Sequence, residues 1–160
     1  MKQVEVKEKT GDKILQLVGF RVDKEEFAVD ILQVQEINKM IGITKIPNAP
    51  SFVEGVVNLR GRIIPVIDLR TRLRLQKKEI DSKSRIIVVE IKGKTLGFIV
   101  DEVSEVLRIP ESVTELPPDM VTNIDSEFIT AVAKLEDRLI ILIDLEKIIK
   151  ADEIKQIAKI

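Results

Sequence analysis

The sequence contains neither cysteine nor histidine. The first absence removes disulfides, iron–sulfur clusters, thiol nucleophiles and cysteine zinc sites. The second removes serine–histidine triads, imidazole acid–base catalysis and histidine metal ligands, leaving carboxylates, lysine, arginine, serine and threonine for any chemistry. Tryptophan and tyrosine are missing as well, and five phenylalanines are the only aromatic residues. That is too few for the stacking platforms that hold single-stranded nucleic acids. No apolar run approaches the length of a membrane span, and the amino terminus, MKQVEVKEKTGDK, lacks the apolar stretch of a secretory signal. These absences predict a cytoplasmic protein without catalytic residues, metal or cofactor, and with no insertion into the membrane.

What is present describes a soluble globular chain of 160 residues, with 26 basic side chains against 27 acidic ones. Isoleucine (25) and valine (18) dominate its apolar part, and β-branched side chains at that density favour strands because they suit a pleated, half-buried surface. Abundant lysine and glutamate with no cysteine fit a heat-adapted source. Strand-like runs recur at residues 15–22, 26–31, 56–59, 62–69, 85–91, 95–103, 130–135 and 138–145. Asp23-Lys24, Arg60-Gly61, Lys92-Gly93-Lys94 and Glu136-Asp137 are placed to turn four hairpins. The one convincing helix is the carboxyl-terminal LEKIIKADEIKQIAKI, in which Ile148, Ile149, Ile154, Ile157, Ala158 and Ile160 share a face.

The chain also repeats itself. A shift of 76 lays LRGRIIPVIDL (59–69) on LEDRLIILIDL (135–145), and a shift of 71 lays Phe27, Val29 and Asp30 on Phe98, Val100 and Asp101. Each half then holds four or five short strands in about 70 residues, a size at which closing a sheet into a small barrel removes exposed edges. The expected fold is all-β, two small barrels with short helices and a carboxyl-terminal helix.

Motifs for chemistry are weak. Gly93-Lys94-Thr95 ends like a phosphate-binding loop, but the glycine required five residues before Gly93 is Val88, and a hairpin tip offers no helix amino terminus. The acidic neighbours Glu25-Glu26 and Asp101-Glu102 point to opposite faces of a strand, so they read as solvated charge. Residues 60–78 carry a net +6 and residues 101–127 a net −7. This asymmetry reads as solvated surface, or as one half complementing the other, before it reads as a nucleic-acid patch. Proline-stiffened segments, IPNAPSF (46–52) and VTELPPDMV (113–121), present apolar residues such as Met120 as a plug for a barrel or as an anchor for a partner.

The run FVEGVVNLRGRIIPVIDLR (52–70) closely resembles the signature of the CheW family of chemotaxis coupling proteins, and FAVDILQVQEI (27–37), IPNAPSFVEG (46–55), GFIVDEVSEVLRI (97–109) and DRLIILIDLEKII (137–149) resemble it in the same order. The resemblance covers residues 15–150 as one domain of two intertwined five-stranded SH3-like barrels, between which segments such as 15–30 and 85–150 exchange strands. It leaves 1–14 as an amino-terminal tail and 151–160 as a helical extension whose loss should be nearly silent. It implies a non-catalytic adaptor, a monomer when free, that binds the regulatory domain of the kinase CheA and the cytoplasmic tip of methyl-accepting chemotaxis receptors. For the receptor it implicates an apolar inter-barrel groove with Val18, Val29, Leu32, Val34, Gly55 and Val100, and for the kinase Arg85, Ile86, Glu115, Asp119 and Met120. Glu36 and Arg60 are expected to pair beside the groove, with the arginine partly buried and the bond therefore stronger than an exposed one. The remaining readings are an adaptor for another kinase and a nucleic-acid-binding tandem barrel.

Overall fold

The computed structural model describes residues 2–5, 12–117 and 127–160. Its strands are β1 (Lys2–Glu5), β2 (Ile14–Val22), β3 (Glu25–Asp30), β4 (Val34–Lys39), β5 (Gly55–Leu59), β6 (Arg62–Asp68), β7 (Arg85–Ile91), β8 (Lys94–Val100), β9 (Glu102–Pro110), β10 (Thr114–Glu115), β11 (Ile129–Leu135) and β12 (Arg138–Ile143). Short helices are α1 (Leu69–Arg72), α2 (Leu145–Ile148) and α3 (Ala151–Ile157). The strands form two sheets, a seven-stranded one in the order β1-β9-β2-β3-β12-β11-β10 and a five-stranded one in the order β4-β7-β8-β6-β5. Each sheet makes a barrel-like half.

All four expected hairpins form, β2–β3, β5–β6, β7–β8 and β11–β12. Two have both turn residues at positive φ, Arg60-Gly61 (52° and 84°) and Lys92-Gly93 (49° and 81°), and in a third Asp23 stands at 58°, as tight turns matching the strand twist require. Four strands differ from the sequence reading. Segments 34–39 and 102–110 mix polar and apolar residues without clean alternation, yet both are strands, because sheet pairing overrides local pattern. The segment expected as an amino-terminal tail contributes β1, parallel to β9 in the register Lys2↔Glu105 to Glu5↔Arg108. With β10 it brings the first sheet to seven strands instead of five.

The chain divides into two compact units. Unit 1 comprises residues 1–33 and 103–148, and unit 2 comprises residues 34–102 and 149–160. The core of unit 1 gathers Leu17, Ala28, Leu107, Ile109, Ala133, Ile140 and Leu142, and that of unit 2 gathers Val57, Ile64, Val66, Ile86, Val88 and Ile99. The single helix expected from Leu145 onward is two helices, with α2 in unit 1 and α3 in unit 2. Lys150 stands at the break with extended backbone (φ −76°, ψ 157°) and donates its N–H to Glu153 at 2.9 Å, starting α3 afresh. Ile148, Ile149, Ile154 and Ile157 are buried, whereas Ala158 and Ile160 are exposed.

The repeat is present with one adjustment. The turns at 23–24 and 92–93 are 69 residues apart, so the match of Phe27 to Phe98 at 71 is slipped by two, a slip that keeps side chains on the same face. The offset of 69 also lays Val34-Gln35-Glu36-Ile37-Asn38-Lys39 on Val103-Ser104-Glu105-Val106-Leu107-Arg108. Strands β2, β3 and β4 thus repeat as β7, β8 and β9, and β5 and β6 repeat as β11 and β12. Parallel registers agree, since Phe27 opposite Ile141 moves under the two offsets to Leu96 and Pro65, in line with Val66 opposite Gly97. Neither sheet is made of one repeat: unit 1 combines β2 and β3 with β9, β11 and β12, and unit 2 combines β7 and β8 with β4, β5 and β6.

Candidate functional site

In unit 1, Val18 and Val29 are direct cross-strand partners on β2 and β3, and both are buried. The chain then makes a 3-10 turn at Ile31–Gln33. Asp30 Oδ1 accepts the Leu32 N–H at 2.9 Å, and Gln33 Nε2 donates to Asp144 Oδ1 at 2.7 Å, which fixes the turn against the end of β12. Held this way, Leu32 is 90% exposed. A cleft of about 510 Å³ beside the turn is lined by Leu17, Ala28, Asp30, Gln33, Leu142 and Asp144 among others.

In unit 2, Val34 opens β4 opposite Val89, and Val100 closes β8 opposite Arg85. Val100 is buried and Val34 half-buried. Gly55 begins β5 with φ 157°, and a Cβ there would lie 2.5 Å from the Thr44 carbonyl oxygen. Thr44 and Val56 exchange backbone hydrogen bonds at 2.8 Å, so the glycine lets one backbone cross another. Arg60 donates to Glu36, and Asn38 Nδ2 donates to the same carboxylate at 2.7 Å. The amide of Asn38, ahead of the Arg60 guanidinium, holds the Glu36 carboxyl below its ordinary range. The arginine is 68% exposed, which corrects the expected partial burial: the hairpin turn that carries Arg60 projects it into solvent, and the pair is a surface one.

The residues expected to meet the kinase fall in both units where they are described. Arg85 donates to the Ser82 and Ser84 carbonyls at 2.9 and 2.8 Å, and Ile86 is buried. Glu115, on β10 in unit 1, pairs with Lys134 at 3.0 Å. Asp119 and Met120 lie outside the described residues. Sequence reasoning missed an apolar surface on unit 1, where Leu116, Ile129, Val132, Leu139 and Ile141 line a cleft of about 340 Å³ with Glu115 and Lys134. Leu116 is 85% and Leu139 59% exposed. The signal was the run Leu139-Ile140-Ile141-Leu142, apolar on both faces of one strand.

Sequence reasoning also took several charges for solvated ones. Asp101 receives the Arg70 guanidinium in a bidentate bond, its shortest contact 2.6 Å, with the two side chains only 8% and 16% exposed. Glu26 accepts Arg138 at 3.0 Å on both oxygens and Arg21 at 3.2 Å, and Arg138 also reaches the buried Glu105. Glu26 and then Glu105 push the Arg138 pKa up further. Within the basic stretch, Arg60, Arg70, Arg72, Lys77 and Lys78 all meet carboxylates of unit 2. A stretch neutralised in this way is a poor phosphate track, which weighs against a nucleic-acid interface. Among the described residues no three metal-ligating side chains cluster and no helix is long and apolar enough to cross a membrane.

The family profile described as CheW-like domain matches residues 16–153. The chain is 37% identical over 134 residues to the chemotaxis protein CheW of Klebsiella aerogenes, covering 84% of this chain and 81% of that protein. It is 37% identical over 147 residues to CheW of Thermotoga maritima, covering 90% and 93%. The crystal structure of the scaffolding protein TtCheW from Thermoanaerobacter tengcongensis superposes with a TM-score of 0.78 at 44% identity, over 88% of this chain and 96% of that one.

Proposed function

The chain belongs to the CheW-like domain family, and on that footing we propose that it is a non-catalytic chemotaxis adaptor of the cytoplasm that joins methyl-accepting chemotaxis receptors to the histidine kinase CheA. The match across residues 16–153 carries this reading. The family resemblance implies a helical receptor tip, and a helix docks by laying an apolar stripe on apolar side chains. Leu32, nine-tenths exposed on its pinned turn, supports a direct contact. Val18, Val29 and Val100 are buried, and they contribute the packing that shapes the surface. Gly55 acts through the backbone crossing it permits, and Val34 borders the exposed residues. On the kinase side the reading takes Arg85, Ile86, Glu115, Asp119 and Met120, binding the regulatory domain of CheA.

Titrating the full chain with a receptor signalling fragment and, separately, with CheA tests it. Leu32→Glu is expected to weaken the receptor fragment at least tenfold, since a charge at an apolar anchor costs more than about 1.4 kcal/mol, while CheA binds unchanged. Equal affinity of the wild type and the variant for the receptor fragment removes Leu32 from the site, and failure of the wild type to bind either partner removes the proposed function. Raising ionic strength should leave receptor binding nearly constant, whereas a nucleic-acid ligand would be lost steeply.

A further inference from the structure

The two units correspond strand by strand, and one strand lacks a counterpart. Under the offsets of 69 and 76, β9-β2-β3-β12-β11 maps onto β4-β7-β8-β6-β5 in the same sheet order. The correspondence reaches isolated contacts. Arg138 on Glu26 maps onto Arg62, which donates to Thr95 at 2.9 Å, and the Glu115↔Val132 pairing of β10 has its equivalent in the Thr44↔Val56 bridge. Among the described residues only β1 is unmatched. It occupies the outer edge of β9, and among the described residues the outer edge of β4, its equivalent, carries no backbone partner.

The two edges share their chemistry. Along β9 the backbone register sets Lys2 opposite Glu105 and Glu5 opposite Arg108, residue types of opposite sign in the sequence. The equivalent positions of β4 are Glu36 and Lys39, the same signs at the same spacing. Leu107 and Glu105 are buried on β9, whereas their equivalents Asn38 and Glu36 are half-buried. An unpaired edge is a template for a further strand. The segment already shown to suit this edge pattern is Lys2–Glu5 itself, which precedes the region matched to the family, residues 16–153.

We propose that the outer edge of β4 is a strand-acceptor site for the amino-terminal strand Lys2–Glu5 of a second copy of the chain, running parallel to β4 with Lys2 opposite Glu36 and Glu5 opposite Lys39. The inference does not depend on the receptor and kinase reading. Four residues of strand make a weak contact, and the copy's own β9 competes for the same segment, so dilute chain stays monomeric and association appears where copies are crowded.

A synthetic peptide of residues 1–8 titrated into ¹⁵N-labelled full chain tests this. The expected result is saturable displacement of the amide resonances of Val34–Lys39, with the same resonances moving when the labelled chain alone is concentrated. Lys39→Glu should weaken the peptide about threefold, within the range of one cross-strand charge pair, and a peptide carrying Glu5→Lys should recover that loss. Displacement confined to residues 102–110 would show that the peptide merely exchanges with the chain's own β1, and overturns the proposal. So does an absence of displacement at millimolar peptide, or indifference to the charge reversal.

Discussion

At the scale of single residues, burial decides which charges matter. The Arg70–Asp101 pair is shielded on both sides, so Asp101→Asn leaves a guanidinium without its counter-charge and is expected to cost about 3 kcal/mol. A urea midpoint that falls at constant slope would show it. Glu36 and Arg60 meet equally directly but in solvent, and a double-mutant cycle on them should close within error. The pairing of Glu36 with Arg60 was legible in the sequence as a resemblance, but its exposure was not, because exposure depends on where the hairpin turn points. Gly55 makes a separate case. A methyl group there must displace the Thr44 backbone, so Gly55→Ala should destabilise the protein by about 2 kcal/mol or more. Thermal unfolding would register that loss, and any fall in partner affinity would then follow from stability.

Among the elements, α3 departs furthest from expectation. Residues 151–160 were expected to be dispensable, yet Ile154 and Ile157 are buried and Glu153 takes the Arg72 guanidinium at 2.7 and 2.8 Å. Arg72 also lies 5.5 Å over the Phe52 ring, so α1, α3 and the loop at Phe52 share one cation. Deleting residues 151–160 should cost about 4 kcal/mol from the two isoleucines alone, seen as an earlier denaturant midpoint. Burial works against the ionised Glu153, but the bonds from Arg72 and from the Lys150 N–H outweigh it and set its pKa below the ordinary 4.5. Its contribution is therefore complete above about pH 4.5 and is lost as pH falls through the lower folded value. Asp68, whose burial raises its pKa, has the opposite sign, because its penalty fades as it takes up a proton. Glu153→Gln is expected to flatten the acid limb of an unfolding-against-pH curve. Helical periodicity through Leu145–Ile160 was readable, but the break at Lys150 was not, since the two halves of that stripe are buried in different units.

For the whole molecule, the exchange of strands between repeats has a direct consequence. A cut near residue 82 separates the repeats, yet each fragment then lacks strands of both sheets. Fragments 1–82 and 83–160 should each be unfolded alone by circular dichroism and should regain strand structure when mixed, because the parallel pairings β1 with β9, β12 with β3 and β6 with β8 each join one fragment to the other. A fragment that folds by itself would show that a single repeat closes its own sheet.

The density of isoleucine and valine, the four hairpin turns and the internal repeat together determined a β-rich fold of two small halves, because composition and period-two patterning act through neighbours in sequence. Family membership was likewise readable from short motifs between Phe27 and Ile149. Only the tertiary structure decided which hairpin pairs with which. Strands of one repeat bury the same apolar area against their own repeat or the other, and the pattern of side chains along β6 or β12 cannot distinguish the two. The same limit hid β1, the division of the carboxyl-terminal helix and the shielded ion pairs of Asp101 and Glu153, all of which depend on partners dozens of residues away that no local pattern records.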